Sequence, residues 1–213
     1  GKIVVEGEKV WLANGARLNA TGAYGGGEIL VGGDFQGKNN SIRNAWRTHV
    51  DSNVVLNASA TQAGHGGKII IWSDNFTNFF GTIKATGAGY KGRGGFAEVS
   101  GKRTLGFRGG VDLRGSHGGR TGILLLDPSD ITITDGANNN VDTAGTTFTS
   151  DGAASNLDID VLNTALAGAS VIITTTGSPD TGGETGNITW NTATAIAGLN
   201  ASSLTLDAED SVT

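Results

Sequence analysis

The chain has 213 residues, of which 36 are glycine, two are proline and none is cysteine or methionine. Without cysteine it can form no disulfide, no thiolate metal site and no cysteine nucleophile. The net charge of −5 gives no attraction to nucleic acid, and no apolar run is long enough to enter a membrane, so we predict neither partner. A chain that opens at Gly1 without methionine is expected to be a processed or excised fragment.

Four segments in the first 126 residues repeat one pattern: a short strand, a small-residue corner, a glycine-containing pair and a more apolar strand. They span residues 16–31, 54–71, 81–99 and 111–126. The repeat recurs about every 30 residues, which is roughly one coil of a parallel β-helix. The sequence therefore predicts an all-β, right-handed parallel β-helix, in which alternate residues point into a narrow apolar interior.

Two segments depart from this repeat. Residues 34–51 lengthen the first interval and are predicted to be an insertion. Beyond residue 135 we predict a polar loop over 136–155, one short helix near 158–167 and further strands. We assign residues 1–135 and 136–213 to one continuous solenoid, and a separate domain beginning near residue 128 is the alternative.

Several motifs resemble those of filamentous-haemagglutinin-like exoproteins of two-partner secretion systems. The resemblance covers residues 25–135 and rests on runs that include Gly32-Gly33-Asp34-Phe35-Gln36-Gly37, Asn44-Ala45-Trp46-Arg47-Thr48, Gly66-Gly67-Lys68-Ile69-Ile70-Ile71-Trp72-Ser73-Asp74, Gly94-Gly95-Phe96-Ala97-Glu98-Val99-Ser100-Gly101-Lys102 and Gly122-Ile123-Leu124-Leu125-Leu126-Asp127-Pro128. It implies a β-helix stalk that follows the family's N-terminal secretion domain. It also implies export through an outer-membrane secretion pore and display at the bacterial surface as part of an adhesin.

Two functional hypotheses follow for this stretch. In the first, the coils form a rigid, non-catalytic stalk or scaffold. In the second, an exposed patch in the insertion binds a host or neighbouring-cell glycan or protein, because tryptophan with arginine is typical of binding hot spots. The residues of that patch are Arg43, Trp46, Arg47 and His49.

The sequence contains few features that indicate an active site, a cofactor site or a metal site. Polysaccharide-degrading enzymes share the β-helix, but Glu98, Asp112 and Arg114 are expected to be ordinary outward charges. His65 and His117 precede glycine-containing corners without a zinc spacing, and the acidic residues after Asp127 lack a calcium-loop spacing. We therefore predict no enzyme, no cofactor and no dedicated metal site.

Two further possibilities concern the surface and the ends of the solenoid. Open coil ends could associate end to end, since their strand edges are unpaired. Glycosylation is a hypothesis at six sequons, although the repeat itself produces three of them. The sequon asparagines are Asn19, Asn39, Asn57, Asn75, Asn187 and Asn200.

Overall fold

The computed structural model describes residues 1–136, 155–176, 185–197, 199 and 202–213. This part of the chain forms a parallel β-helix with strands β1 to β18 and one α-helix, α1. Every pairing between these strands is parallel. The prediction of a parallel β-solenoid is confirmed.

Each of the first four coils contributes three strands. In coils 1 and 2 the strands are β1 (Lys2–Val5), β2 (Lys9–Leu12), β3 (Arg17–Asn19), β4 (Glu28–Val31), β5 (Arg47–Val50) and β6 (Val55–Asn57). In coils 3 and 4 they are β7 (Lys68–Ser73), β8 (Phe76–Phe79), β9 (Thr82–Lys84), β10 (Phe96–Gly101), β11 (Thr104–Phe107) and β12 (Gly110–Asp112).

The later part of the chain is less regular. Its elements are β13 (Ile123–Leu126), β14 (Ile131–Thr134), β15 (Ser155–Asp158), α1 (Ile159–Gly168), β16 (Ser170–Thr174), β17 (Ile188–Asn191) and β18 (Leu204–Asp207). The helix confirms the prediction of one short helix near 158–167. The predicted loop at 136–155 lies outside the described residues except at its two ends.

The strands stack into four sheets. Sheet 1 runs through every coil in the order β1-β4-β7-β10-β13-β16-β18. Sheet 2 contains β2, β5, β8 and β11, and sheet 3 contains β3, β6, β9 and β12. Sheet 4 has the order β15-β14-β17. Sheet 1 is thus the one sheet that links all the coils in the described part of the chain.

The core is a set of columns in which equivalent residues of successive coils touch. In sheet 1 the inward column passes through Ile29, Ile69, Ala97, Leu124 and Val171, all fully buried. Parallel strands lie about 4.8 Å apart, so each apolar side chain packs on its copies above and below. Burial of these columns is the main source of stability for the coils.

One inward column of sheet 2 carries aromatic rings. Phe79 of β8 and Phe107 of β11 are in register and stack, with ring centroids 5.8 Å apart and an interplanar angle of 14°. Both side chains are buried. The two rings therefore belong to the core rather than to a surface pocket.

Glycine at the corner between sheets 3 and 1 is required by close backbone approach. A Cβ at Gly94 would lie 1.7 Å from the carbonyl oxygen of Leu113, and one at Gly66 would lie 1.9 Å from that of Ala85. No side chain fits at such distances, so the glycine pairs of the repeat let the coil close tightly.

The helix α1 takes the place of a strand beside sheet 3. Its N-cap is Asp158, whose side chain accepts a hydrogen bond from Asp160 N at 2.8 Å, and its inner face buries Leu162 and Leu166. At its end, Gly168 O accepts from Leu113 N at 2.9 Å, next to β12. In the described part of the chain, no helix is long and apolar enough to cross a membrane.

Candidate functional site

The insertion lies across the outer face of sheet 1. It leaves coil 2 after β4 and returns at β5, so the predicted insertion 34–51 ends in a regular strand of sheet 2. Its glycines have positive φ, 151° at Gly33 and 61° at Gly37. A Cβ at either position would lie 2.6 Å from the Trp72 indole ring. The glycine-rich motif therefore lets the backbone lie flat against that ring.

The insertion covers a second, smaller hydrophobic cluster. Leu30, Ile70 and Trp72 are buried there, with Ile42 of the insertion and Phe96 packed against them. The rings of Phe35 and Phe96 meet edge to face at 5.8 Å. This cluster explains why the outward face of these strands is apolar although the core lies on the other face.

Polar contacts fix the indole and the insertion together. Trp72 Nε1 donates to Asp74 Oδ1 at 3.0 Å, and Asn44 Nδ2 donates to the same oxygen at 3.0 Å. Asn44 Nδ2 also donates to Gly37 O at 2.9 Å. These partly buried bonds hold the insertion in one position on the sheet.

Three carboxylates lie at the start of the insertion. The first, Asp34, accepts hydrogen bonds from Lys68 Nζ at 2.9 Å, Asn39 Nδ2 at 2.8 Å and Phe35 N at 2.8 Å. Burial alone would raise the pKa of Asp34, but these donors outweigh it and lower the pKa to about 2. Asp34 is therefore an anion that ties the insertion to β7.

The other two are Glu98 and Asp127, both buried. Gln36, at φ 52°, donates its main-chain N–H to both carboxyl oxygens of Glu98 at 3.2 Å. Its Nε2 donates to Asp127 Oδ2 at 3.2 Å. Burial raises the pKa of Glu98 to about 7, assisted by the charges of Asp127 and Asp34. The prediction that Glu98 is an outward surface charge is wrong, because the insertion covers it.

This carboxylate cluster can hold a proton near neutral pH, but it is covered rather than open to a substrate. Among the residues that the structure describes, no group of three or more histidine, aspartate or glutamate side chains is arranged to hold a metal ion. The chemistry of the cluster is structural: it positions Gln36 and the turn around it.

The residues of the predicted binding patch fall in two places. Arg43 and Trp46 lie at the end of the insertion, and Trp46 is 48% exposed. Arg43 N donates to Glu6 Oε1 at 2.7 Å, and its guanidinium lies 3.7 Å from Glu8 Oε2. These two side chains are available to a partner.

Arg47 and His49 lie on β5 and face outward from sheet 2, where both are half-buried. His49 Nε2 lies 3.0 Å from Asp51 Oδ1, which also accepts from Trp11 Nε1 at 2.9 Å. The rings of Trp11 and His49 meet edge to face, 5.9 Å between centroids. Trp11 is 43% exposed and was missed by sequence reasoning, although the alternation in β2 places it outward.

The sequon asparagines differ in their surroundings. Asn19 is exposed, and its Oδ1 accepts from Thr21 N at 3.0 Å. Asn39 Nδ2 donates a hydrogen bond to Asp34 Oδ2 at 2.8 Å. Asn57, Asn75 and Asn187 are half-buried, and Asn200 lies outside the described residues. Glycosylation stays a prediction, which the geometry favours most at Asn19.

No protein-family model matches the chain, and no curated protein sequence matches it. Among solved structures, the chain is similar to the HMW1 secretion domain from Haemophilus influenzae. The identity is 32% with a TM-score of 0.48, over 59% of this chain and 31% of that one. The match therefore spans less than a third of the length of that structure.

Proposed function

We propose that this chain is a rigid, non-catalytic β-helix segment of a secreted, adhesin-like exoprotein of a two-partner secretion system. The observation that carries the proposal is the packing of the glycine motif against Trp72. The residues behind the family resemblance, Gly32 to Gly37 and the strand ending in Trp72, form one structural unit. The motif residues on which the resemblance rests therefore have a defined packing role in this fold, which glycine content alone would not require.

A scaffold role fits the way the coils are joined. Sheet 1 pairs seven successive strands, and the core columns pass from coil to coil. Because each coil packs on its neighbours, such a stack resists bending and holds whatever it carries at a fixed distance. Native-state hydrogen exchange tests this: the amides of β4, β7 and β10 should exchange last and together. Fast, independent exchange of these strands would contradict a rigid scaffold.

The proposed secretion partner is an outer-membrane pore of the two-partner type, which places the protein outside the cell or at its surface. The absence of cysteine and the coil-by-coil architecture suit a chain that folds after export. The test is expression of the parent exoprotein with and without its partner pore, followed by detection of this segment outside the cell. Equal amounts outside without the pore would refute this route.

A non-catalytic role is supported by the position of Glu98 and Asp127 under the insertion. The alternative is a β-helix enzyme that degrades polysaccharides. Incubation of the folded chain with a panel of polysaccharides should release no reducing ends. Release that persists after purification, and that disappears in an E98Q variant that is folded at the assay pH, would establish the enzyme.

Recognition by the patch at Arg43 and Trp46 is the second candidate, favoured by the exposure of Trp46 and Trp11. The measurement is binding of the folded chain to cells and to a glycan array. If binding is saturable and an R43A/W46A variant with unchanged stability loses it, the patch is the adhesive surface. If a folded sample does not bind, the scaffold role is supported.

End-to-end association is a further proposal. Among the described residues, the strands β1, β2 and β3 each pair on one side only, so a chain whose first coil is this one would present unpaired strand edges. Sedimentation velocity over a wide concentration range should reveal linear oligomers if these edges pair between copies. A single monomeric species at the highest concentration would refute it.

A further inference from the structure

A column of basic residues runs along one corner of the solenoid. His65, Arg93 and Arg120 each stand directly before the glycine-containing pair that begins a sheet 1 strand. Main-chain hydrogen bonds of 2.9 Å join these corners, from Gly66 N to Arg93 O and from Gly94 N to Arg120 O. Equivalent residues are thus one coil apart, about 4.8 Å along the axis.

The two arginines of the column carry charges that the described residues do not neutralise. Arg93 and Arg120 are exposed, and neither has an ion-pair partner in the described part of the chain. The nearby Arg114 contrasts with them, because its Nε and one terminal nitrogen donate to Asp112 at 2.8 Å each. His65 adds a donor to the column. Its Nδ1 accepts from Arg93 N at 3.0 Å, which leaves the ring proton on Nε2.

A groove of about 700 Å³ lies beside this column and extends over four coils. The main chain of the glycine-containing pairs forms its floor, and Arg93 and Arg120 line one side. The first strand residues of sheet 1 line the other side in register, in the order Glu28, Lys68, Phe96, Ile123.

The two halves of that second wall differ. In coils 2 and 3, Glu28 and Lys68 form an ion pair of 2.5 Å. Lys2 pairs with Glu28 at 2.7 Å and Asp34 with Lys68 at 2.9 Å, so two positive and two negative charges balance in this network. In coils 4 and 5 the wall is apolar, with half-buried Phe96 and with Ile123 39% exposed. The arginines therefore face an apolar wall across an open glycine floor, and the groove has one cationic and one apolar side.

We propose that this groove binds an acidic polysaccharide in an extended conformation along the β-helix axis. Guanidinium groups bind carboxylates and sulfates with paired hydrogen bonds, and here they recur at the coil spacing. A sugar ring presents C–H groups on its faces, which suit Phe96 and Ile123, and its acidic substituent then points to the arginines. A peptide of acidic residues alone, such as polyglutamate, would have no apolar side chain to match this wall.

This site is separate from the patch at Arg43 and Trp46, and it adds a ligand to the proposed scaffold. The probe is a set of size-defined oligogalacturonides, with the same oligomers methyl-esterified as uncharged counterparts. Isothermal titration calorimetry should show saturable binding of the acid form alone. The affinity should fall as sodium chloride screens the arginine charges.

The test variant is R93S/R120S, and the matched control is R17S/K84S. The control removes the same two positive charges from exposed residues on the outer face of sheet 3. We expect the test variant to bind about tenfold more weakly or worse, and the control to stay within about twofold of the wild type. Thermal unfolding of both variants verifies that each is folded.

Several results would overturn the proposal. No binding of the acid form, or equal binding of the methyl ester, would rule out an acidic polysaccharide as the ligand of this groove. Equal weakening in both variants would show a general response to net charge. Tighter binding of polyglutamate than of the oligogalacturonide, lost in R93S/R120S, would assign the groove to an acidic peptide.

Discussion

The main-chain N–H of Gln36 donates to both carboxyl oxygens of Glu98, 62 residues further along the chain, at 3.2 Å each. Glu98 lies on the outward face of β10 and is fully buried beneath the insertion. This contact joins the insertion of coil 2 to a strand of coil 4, as does the contact between the rings of Phe35 and Phe96. The predictions that follow test this contact, the packing beside it and the interior of the coils.

The protonation of Glu98 should make stability depend on pH. Burial raises its pKa from 4.5 to about 7 in the folded chain. The folded state therefore holds a proton that the unfolded state loses first, and this contribution falls as pH rises from about 4.5 to about 7. An E98Q variant should be more stable than the wild type at pH 8, by up to about 3 kcal/mol, and similar at pH 4.

Urea denaturation at pH 4, 6 and 8 measures this difference. The exposed Glu8 provides the control E8Q, which removes a carboxylate that does not contact Gln36. A constant difference between wild type and E98Q at all three values would mean that Glu98 does not titrate in this range.

Asp34 should give the opposite pH dependence. Its pKa is lowered from 3.8 to about 2 by Asn39, Phe35 N and Lys68, against the effect of burial. Its contribution is present above about pH 4 and is lost as pH falls through 2, so D34N should cost about 2 kcal/mol at pH 7. Calorimetric unfolding at pH 7 and at pH 2 tests this. Wild type and variant should converge at the lower value, and an unchanged gap would contradict the assignment.

The contact between Gly37 and the Trp72 indole should tolerate no side chain. A Cβ at Gly37 would lie 2.6 Å from the ring, and the residue has φ 61°. We expect G37A to destabilise the protein by about 2–4 kcal/mol, since left-handed strain adds to the clash.

The matched control for G37A is G15A. Gly15 also has positive φ, 88°, but nothing lies within 4 Å of a Cβ there. Its substitution should cost about 1–2 kcal/mol, which isolates the backbone strain. Equal losses in the two variants, measured by urea denaturation, would show that packing against Trp72 contributes nothing.

The stacked rings of Phe79 and Phe107 should couple energetically. Each alanine variant should cost about 3–5 kcal/mol, because a large buried side chain leaves a cavity. In a double-mutant cycle the two losses should fall short of additivity by about 0.5–1.5 kcal/mol, the value of an aromatic pair. Strict additivity would imply that the rings pack independently.

Much of this fold could be predicted from the sequence, and the failures have physical causes. The strands of sheets 1 and 3 follow the repeat, since their Ile, Leu and Val residues are flanked by the corner glycines. The strands of sheet 2 were not identified. In β8 all four residues are buried, including polar Thr77 and Asn78, so no alternation of apolar and polar residues marks the strand.

The carboxylate cluster could not be foreseen for a different reason. The sequence places Glu98 next to buried residues in a strand, where a charged residue normally faces solvent. Its burial depends on the path of the insertion, which local patterns do not encode. The basic column could have been predicted in part, because His65, Arg93 and Arg120 occupy one repeat position in the sequence. Their alignment along the axis follows only from the stacking register of the coils.

The direction of the hydrogen bonds in sheet 1 has a mechanical consequence. They point along the solenoid axis, from each strand to its copy in the next coil. Tension that pulls the two ends apart would load these bonds one coil at a time, so the coils would peel off in sequence at modest force. A sideways load would be shared among all the coils, and the same structure would resist it far better.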